Sequence, residues 1–375
     1  MNASTLMIGS VAVDPPLLMA PMAGFTDAGF RRLVRELGGC GLPATEMISA
    51  RGFVSQSERN PDDPEPGRLW GIADEPRPLA AQIWDNDPGK LAMVGAVLAQ
   101  QYHVSIVDIN FGCPAPDVAT RSQSGSFLLR DPERIGRLIE RVVAACAPTP
   151  VTAKIRLGIS LDDEPIENNA VNKDIFPLLD IVRASDDSME PGNGAAAWRD
   201  RRVFEVARAA EEAGAAALTV HGRFASQMFA GHADWDRIAA VKEQLQRIPL
   251  IGNGDLDSAE KAATFLRRYP VNGVMIGRAA LGQPWLFRQT AERLRPTAEQ
   301  DPERLATPDP AEQRTMLLQL LEWTITRHGV AKGVVLMRKY ACRWGTGRAG
   351  AREFRRLASR IRTPEEFESL VRKNF

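Results

Sequence analysis

The chain has 375 residues, 44% hydrophobic and 25% charged, with 47 Lys and Arg against 47 Asp and Glu. At roughly 100–200 residues per domain, this length predicts two domains or one α/β barrel with an appendage, and the apolar fraction excludes a disordered chain. No run approaches the ~18 apolar residues of a membrane-spanning helix, and the N-terminus lacks the basic-then-apolar pattern of a secretory leader. Cys40, Cys113, Cys146 and Cys342 stand far apart, without CxxC spacing or a Cys/His cluster. Neither a disulfide framework nor a metal site is expected, no membrane is expected as a partner, and a reducing, cytoplasmic setting fits.

In chain order, short β-rich runs occupy 17–19, 44–48, 79–84, 104–110, 151–156, 218–221, 250–253 and 273–276. Segments of helical period separate them, such as Phe30, Leu33, Val34, Leu37 and Ile135, Leu138, Ile139, Val142, Val143. Runs apolar on both faces and separated by helices predict parallel strands in βα units. Eight of them predict a (β/α)₈ TIM barrel. An open doubly wound sheet would carry a Gly-rich turn after its first strand, but here that turn reads Pro21-Met22-Ala23-Gly24.

Three segments interrupt the alternation. Residues 57–78, rich in Pro and Asp, read as a long loop. Residues 159–200 hold 10 acidic and 3 basic residues and read as an acidic insertion between the fifth strand and its helix. From about 308 the pattern is helical only, with Leu317, Leu318, Leu321 and Phe354, Leu357, Ile361 on apolar faces. The expected organisation is a barrel over 1–307 and a small all-helical domain over 308–375.

In such a barrel the chemistry sits at the C-terminal ends of the strands. The third run ends Gln82-Ile83-Trp84 and the fourth Asp108-Ile109-Asn110-Phe111-Gly112-Cys113-Pro114. The fifth carries Lys154-Ile155-Arg156, the sixth ends Val220-His221-Gly222-Arg223, the seventh Gly252-Asn253-Gly254-Asp255, and the eighth Ile276-Gly277-Arg278. Desolvating Lys154, Arg156 and His221 there would bring a purely structural barrel nothing, so an active site is expected at this end. Gly-rich turns after the last two strands suit a phosphate, with Arg278 able to fork onto its oxygens. No GxxxxGK[ST] motif accompanies them, so one phosphorylated cofactor such as FMN fits better than a dinucleotide or ATP. Lys154 would then be a fixed cation beside a flavin, or else an ion-pair partner of Asp108. His221 reads as a hydrogen-bond donor to flavin or phosphate, or as a polar plug. Cys113, between Gly112 and Pro114, is mostly protonated at neutral pH and can act as general acid, as nucleophile, or lie inert. The other three cysteines read as core.

Together these motifs resemble the tRNA-dihydrouridine synthases, most closely their bacterial B-like branch. The matching stretches are LMAPMAGFTDAGFRRL at 18–33, TEMISA at 45–50, AAQIW at 80–84, DINFGCP at 108–114 and AKIRLG at 153–158. LTVHGRFASQMFAGHADW at 218–235, IPLIGNGD at 248–255, GVMIGRAALGQPWLF at 273–287 and MRKYACRW at 337–344 continue the series. The resemblance implies an FMN enzyme that uses NADPH to reduce the C5–C6 double bond of a uridine in tRNA. By motif position, Pro21, Met22, Ala23, Gln82, Lys154, His221, Asn253, Gly254, Asp255, Gly277 and Arg278 correspond to flavin contacts. Cys113 corresponds to the acid that protonates uracil C5, and Asn110 and Arg156 to groups on the uracil edge. The chain departs from the family after Gly-Cys-Pro, where Ala115-Pro116-Asp117 replaces basic residues, and in the insertion.

Residues 311–375 hold 14 Lys and Arg against 6 Asp and Glu, with Arg338, Lys339, Arg343, Arg348, Arg352, Arg355 and Arg356 in one stretch. In the light of the resemblance this tail is expected to bind tRNA phosphates, with Arg338, Lys339 and Arg343 as contacts. Competing readings are an FMN barrel oxidoreductase acting on a small molecule, a dihydrouridine synthase acting on another RNA, and an RNA-binding protein without turnover.

Overall fold

The computed structural model describes residues 5–60, 71–160, 193–345 and 350–375. A hairpin of β1 (Leu6–Ile8) and β2 (Val11–Val13) leads the chain in. The barrel strands follow as β3 (Leu17–Met19), β4 (Ala44–Ser49), β5 (Ala80–Trp84), β6 (Ile106–Phe111), β7 (Val151–Arg156), β8 (Leu218–His221), β9 (Leu250–Asn253) and β10 (Gly273–Ile276). They pair in parallel in the order β3-β10-β9-β8-β7-β6-β5-β4. A Leu18–Leu42 bridge closes the ring, with the Met19 N–H donating to the Leu42 carbonyl at 3.0 Å. The expected (β/α)₈ barrel is present, and every expected run is a strand. Three boundaries move by one or two residues: 44–48 extends to Ser49, 79–84 begins at Ala80, and 104–110 becomes 106–111.

Crossover helices α1 (Ala28–Leu37), α2 (Ala50–Arg59), α3 (Pro88–Gln100), α4 (Pro132–Cys146), α5 (Asn193–Glu212), α6 (Trp235–Lys242), α7 (Ala259–Arg268) and α8 (Leu286–Leu294) surround it. Six of them start at a side chain that accepts the N–H three residues on: Asp27, Ser49, Asp87, Asp131, Asp234 and Ser258. Such caps satisfy helix-start donors that have no partner within the helix. The expected 57–78 loop is shorter at its start, because α2 runs to Arg59. Residues 61–70 of it lie outside the described residues, and Glu75 ties its end to α1 by accepting from buried Arg31 Nε at 2.9 Å. Likewise 193–200, assigned to the insertion, form the start of α5. Residues 161–192 lie outside the described residues.

Alternate strand residues point into the barrel. Its lower layer is apolar, with Leu18, Ala44, Ala80, Ile106, Ile251 and Met275 packed on Leu6, Ile8 and Val13 of the hairpin. The hairpin, absent from the expected elements, therefore plugs the floor, each fully covered side chain contributing roughly 1.5–3 kcal/mol.

After α9 (Pro302–Leu305) come α10 (Pro310–His328), α11 (Val330–Trp344), α12 (Ala351–Ala358) and α13 (Pro364–Asn374). An Asp309–Glu312 capping box starts α10. The buried faces are Leu317, Leu320 and Leu321 of α10 and Val334, Met337 and Tyr340 of α11, continuous with Phe30 and Leu33 of α1. Leu317, Leu321, Phe354 and Ile361 are buried as expected, but Leu318 is only partly buried and Leu357 is 38% exposed, with Leu320 and Ala358 buried in their stead. Tyr340 stacks on Phe30 at 5.6 Å and meets Phe25 edge-on at 5.8 Å, which brings α11 against the loop that follows β3.

Candidate active site

The strand register assembles the site. Gln82 pairs with Asp108, Asp108 with Thr152, and Asn110 with Lys154. Arg156 pairs with His221 and His221 with Asn253. Paired residues in parallel strands share a face, so these polar groups form a ring above the apolar floor. Asn110, Arg156, His221 and Asn253 are buried, while Lys154 and Cys113 remain partly open.

Cys113 sits on a constrained turn. Its N–H donates to Asn110 Oδ1 at 2.8 Å, and its carbonyl accepts the Ser126 N–H at 3.0 Å. Gly125 makes this possible: it adopts φ +57, and a Cβ there would come within 2.7 Å of the Cys113 oxygen. Burial pushes the Cys113 thiol up from its ordinary value, against opposing pulls from the Ala115 N–H and from Arg156 and Lys154. The group therefore stays a protonated thiol at neutral pH. Cys146 is buried as expected, while Cys40 and Cys342 are partly covered, and all four are free.

Lys154 Nζ donates to Asn253 Oδ1 at 3.1 Å, and Asn253 Nδ2 donates to the Met275 carbonyl at 2.7 Å. Asp108 instead accepts from Gln82 and Thr152, so the Lys154–Asp108 contact is not made. Burial, with Arg156 nearby, lowers Lys154 to about 8. Burial likewise lowers Arg156 to about 10, with Arg223 contributing. Arg156 Nε donates to the Gly112 carbonyl at 3.0 Å and Nη1 to the Phe224 carbonyl at 2.9 Å, which pins the turn before Cys113. His221 is pushed far down by burial and then by Lys154 and its arginine neighbours, so its ring is neutral. Arg223 Nη1 lies 3.4 Å from His221 Nε2. A guanidinium only donates, so Nε2 accepts and the ring proton sits on Nδ1.

At the far rim, Gly254 and Asp255 take φ +129 and +51. The Asp255 carboxylate meets Arg223 at 2.8 Å, accepts the Ala233 N–H at 2.7 Å, and lies 3.6 Å from Arg278. Burial alone would raise Asp255, but these partners hold it below its ordinary value. Arg278 is exposed and lies 4.2 Å from the ring centre of Phe229, which is itself 53% exposed and 5.8 Å from Arg156. Pro21, Met22 and Ala23 continue this rim from the neighbouring strand β3, in a turn closed by Met22 N–H to Thr26 Oγ1 at 3.0 Å and by Gly24 N–H to Glu46. Gly277 follows β10 beside Ala20 and Met22.

Residues 18–173 and 196–375 match the family model of dihydrouridine synthase (Dus). The chain belongs to the dihydrouridine synthase family. It is similar to tRNA-dihydrouridine synthase B of Xanthomonas campestris pv. campestris, 34% identical with 99% of this chain and 96% of that one covered. The tRNA-dihydrouridine synthase B of Pseudomonas aeruginosa is also 34% identical over the same shares. A probable tRNA-dihydrouridine synthase of Rickettsia conorii is 29% identical over 96% of this chain and 93% of its own. The first two relatives agree with the B-like branch that the strand-end motifs resemble. The family match lapses at 174–195, inside the acidic insertion.

In this dihydrouridine synthase family member, the basic residues expected on the tail divide in two. Lys339 lies 3.7 Å from Asp27 and, with Arg343, approaches the Phe25 ring at 5.2 and 5.7 Å, so both stand at the barrel mouth. Arg338 turns away and donates to the Ile361 carbonyl at 2.8 Å. Arg348 lies outside the described residues. Gln82, expected at the flavin, is fully covered beneath Asn110. Sequence reasoning assigned no role to Arg223, Phe229, Thr152 or Glu46. Arg223 and Phe229 lie inside the 218–235 motif, but only the fold reveals that one is buried on Asp255 and the other exposed. A one-residue bulge in β4 between Ala44 and Met47 carries the strand past Glu46 and brings Met47 opposite Gln82. Among the described residues no cluster could hold a metal ion, and no helix is long and apolar enough to cross a membrane.

Proposed function

We propose that the chain is an FMN-dependent tRNA-dihydrouridine synthase that uses NADPH and reduces the C5–C6 double bond of uridine. The observation that carries this reading is the protonated Cys113 thiol on a rigid turn beside Lys154 and Arg156, at the mouth of a family barrel.

The residues suit an FMN. The rim carries Arg278 and the left-handed Gly254–Asp255 turn, where a Cβ on Gly254 would come 2.5 Å from Ala233 and 3.1 Å from His221. A guanidinium and the backbone N–H groups of such a turn are the donor set of a phosphate site. Lys154, whose hydrogen bond among the described residues goes to a neutral amide, keeps a cation available for an electron-rich ring. Pro21, Met22, Ala23, His221, Asn253 and Gly277 complete the lining. Bound there and reduced by NADPH, FMN would supply the hydride that goes to uracil C6.

The protein's own part is the proton. Cys113 Sγ–H donates it to uracil C5, and Arg156 and Lys154 favour the thiolate left behind. Asn110 and Arg156 orient the uracil edge. Exposed Phe229, against two guanidiniums, offers a stacking face to a base swung out of the RNA. Lys339 and Arg343 at the mouth neutralise nearby phosphates.

Two measurements test the reading. Purified protein is expected to be yellow with FMN, and a colourless protein that cannot be reconstituted refutes it. Nucleoside mass spectrometry of tRNA and rRNA from a deletion strain is expected to reveal loss of dihydrouridine in tRNA, and unchanged levels in every RNA refute it.

A further inference from the structure

A chain of hydrogen bonds runs from the Cys113 turn down into the barrel, and its direction is dictated at both ends. At the top, the Gly112 and Cys113 N–H groups, which only donate, reach Asn110 Oδ1 at 3.0 and 2.8 Å. Both lone pairs of that oxygen are therefore occupied. Asn110 Nδ2 donates to Gln82 Oε1 at 2.8 Å, and Gln82 Nε2 donates to Asp108 Oδ2 at 2.7 Å. The Thr152 hydroxyl donates to the other Asp108 oxygen at 2.6 Å. At the bottom stands a carboxylate, which only accepts. No chemical step of the proposed reaction uses Asp108 or Thr152.

We propose that Asp108, acting through Gln82, is a positioning residue that locks the Asn110 amide so that it offers a ligand only its second N–H, and the site takes a pyrimidine carbonyl oxygen rather than an amino group there. This rests on the reading of Asn110 as a uracil-edge contact. The amide cannot turn over without losing two backbone bonds and facing oxygen against oxygen at Gln82. Asn110 Nδ2 also lies 3.7 Å from Met47 Sδ, a weak acceptor that a carbonyl oxygen outcompetes. Uracil carries a carbonyl at each ring position beside N3, whereas cytosine carries an amino group at one of them.

The test is a cycle of variants read by thermal stability, flavin content and uridine turnover. Asp108→Asn keeps an acceptor for Gln82, and the Thr152 hydroxyl can rotate to accept the new N–H, so the melting temperature stays near the parent's. Asn110→Asp sets oxygen against oxygen at Gln82 and lowers the melting temperature. The double variant Asn110→Asp/Asp108→Asn has unchanged net charge and lets Gln82 turn over, which reverses the chain. Its melting temperature is expected to recover while uridine turnover stays down about tenfold or more. Recovery of neither quantity means the chain has no set direction and overturns the proposal. Recovery of both means the Asn110 polarity does not matter to the ligand, which also overturns it. A parent protein that holds no flavin and reduces no uridine refutes the functional reading instead, and the stability cycle still reports on the chain.

Discussion

Tyr340 donates its hydroxyl to the Asp27 carboxylate at 3.0 Å across 313 residues of sequence. The Phe25 carbonyl also contacts this hydroxyl, so its single proton is shared between the two acceptors. Asp27 also caps α1 by accepting the Phe30 N–H at 3.0 Å, so one carboxylate joins a barrel helix to the C-terminal helices beside the Pro21–Ala23 rim. Burial, reinforced by Asp27, holds the Tyr340 hydroxyl well above its ordinary value, so it remains a donor at any working pH. Tyr340→Phe keeps the stack on Phe30 but deletes this shared hydrogen bond. It is expected to cost about 1–3 kcal/mol, read as a lower melting temperature, and to weaken flavin retention in fluorescence titration.

Gly125→Ala forces a Cβ into the Cys113 carbonyl from a left-handed backbone. The Ser126-to-Cys113 hydrogen bond breaks and the thiol shifts. Uridine reduction is expected to fall by about tenfold or more, since small misplacement of a reacting group is costly, while flavin content stays. Single-turnover assays with flavin absorbance check this.

Cys113→Ala is expected to retain flavin and NADPH oxidation but to lose uridine reduction, because the proton donor is gone. In the parent protein, alkylation of Cys113 by iodoacetamide should be slow at pH 7 and still be rising with pH at pH 9, since burial lifts its titration above the ordinary value of 9.0. Peptide mass spectrometry at several pH values reads this, and rapid modification at pH 7 contradicts it.

Lys154 faces Arg156, Asp108 and Cys113, and its titration falls to about 8 in the free protein. It is charged below that pH and neutral above it. Affinity for an anionic cofactor is therefore present at pH 7 and declines through pH 8, by up to about tenfold at pH 9. Lys154→Arg stays charged and should flatten the profile. Flavin dissociation measured across pH 6–9.5 distinguishes the two.

Lys339→Ala and Arg343→Ala should each weaken tRNA binding and reduce its salt slope by about 1. Arg338→Ala removes the bond to the Ile361 carbonyl. It should lower thermal stability and leave the salt slope unchanged. Filter-binding titrations over a salt series, paired with melting curves, separate these roles.

Much of this protein was legible in its residues. Strand positions, barrel class and the polar strand ends follow from patterns only a few residues long, namely alternation, helical period and turn chemistry. The total charge of zero hid a tail with 14 basic and 6 acidic residues, which reading by segment recovered. The tertiary structure decided how those residues are used. Register sets Gln82 on Asp108, and barrel curvature lets Lys154 reach Asn253, 99 residues away. The β4 bulge, the floor hairpin, the Arg223–Asp255 pair and the Tyr340–Asp27 bond are equally long-range. Local patterns report which face of an element is apolar, but hydrogen-bond direction and ion pairing depend on which distant partner the closed barrel brings within 3 Å.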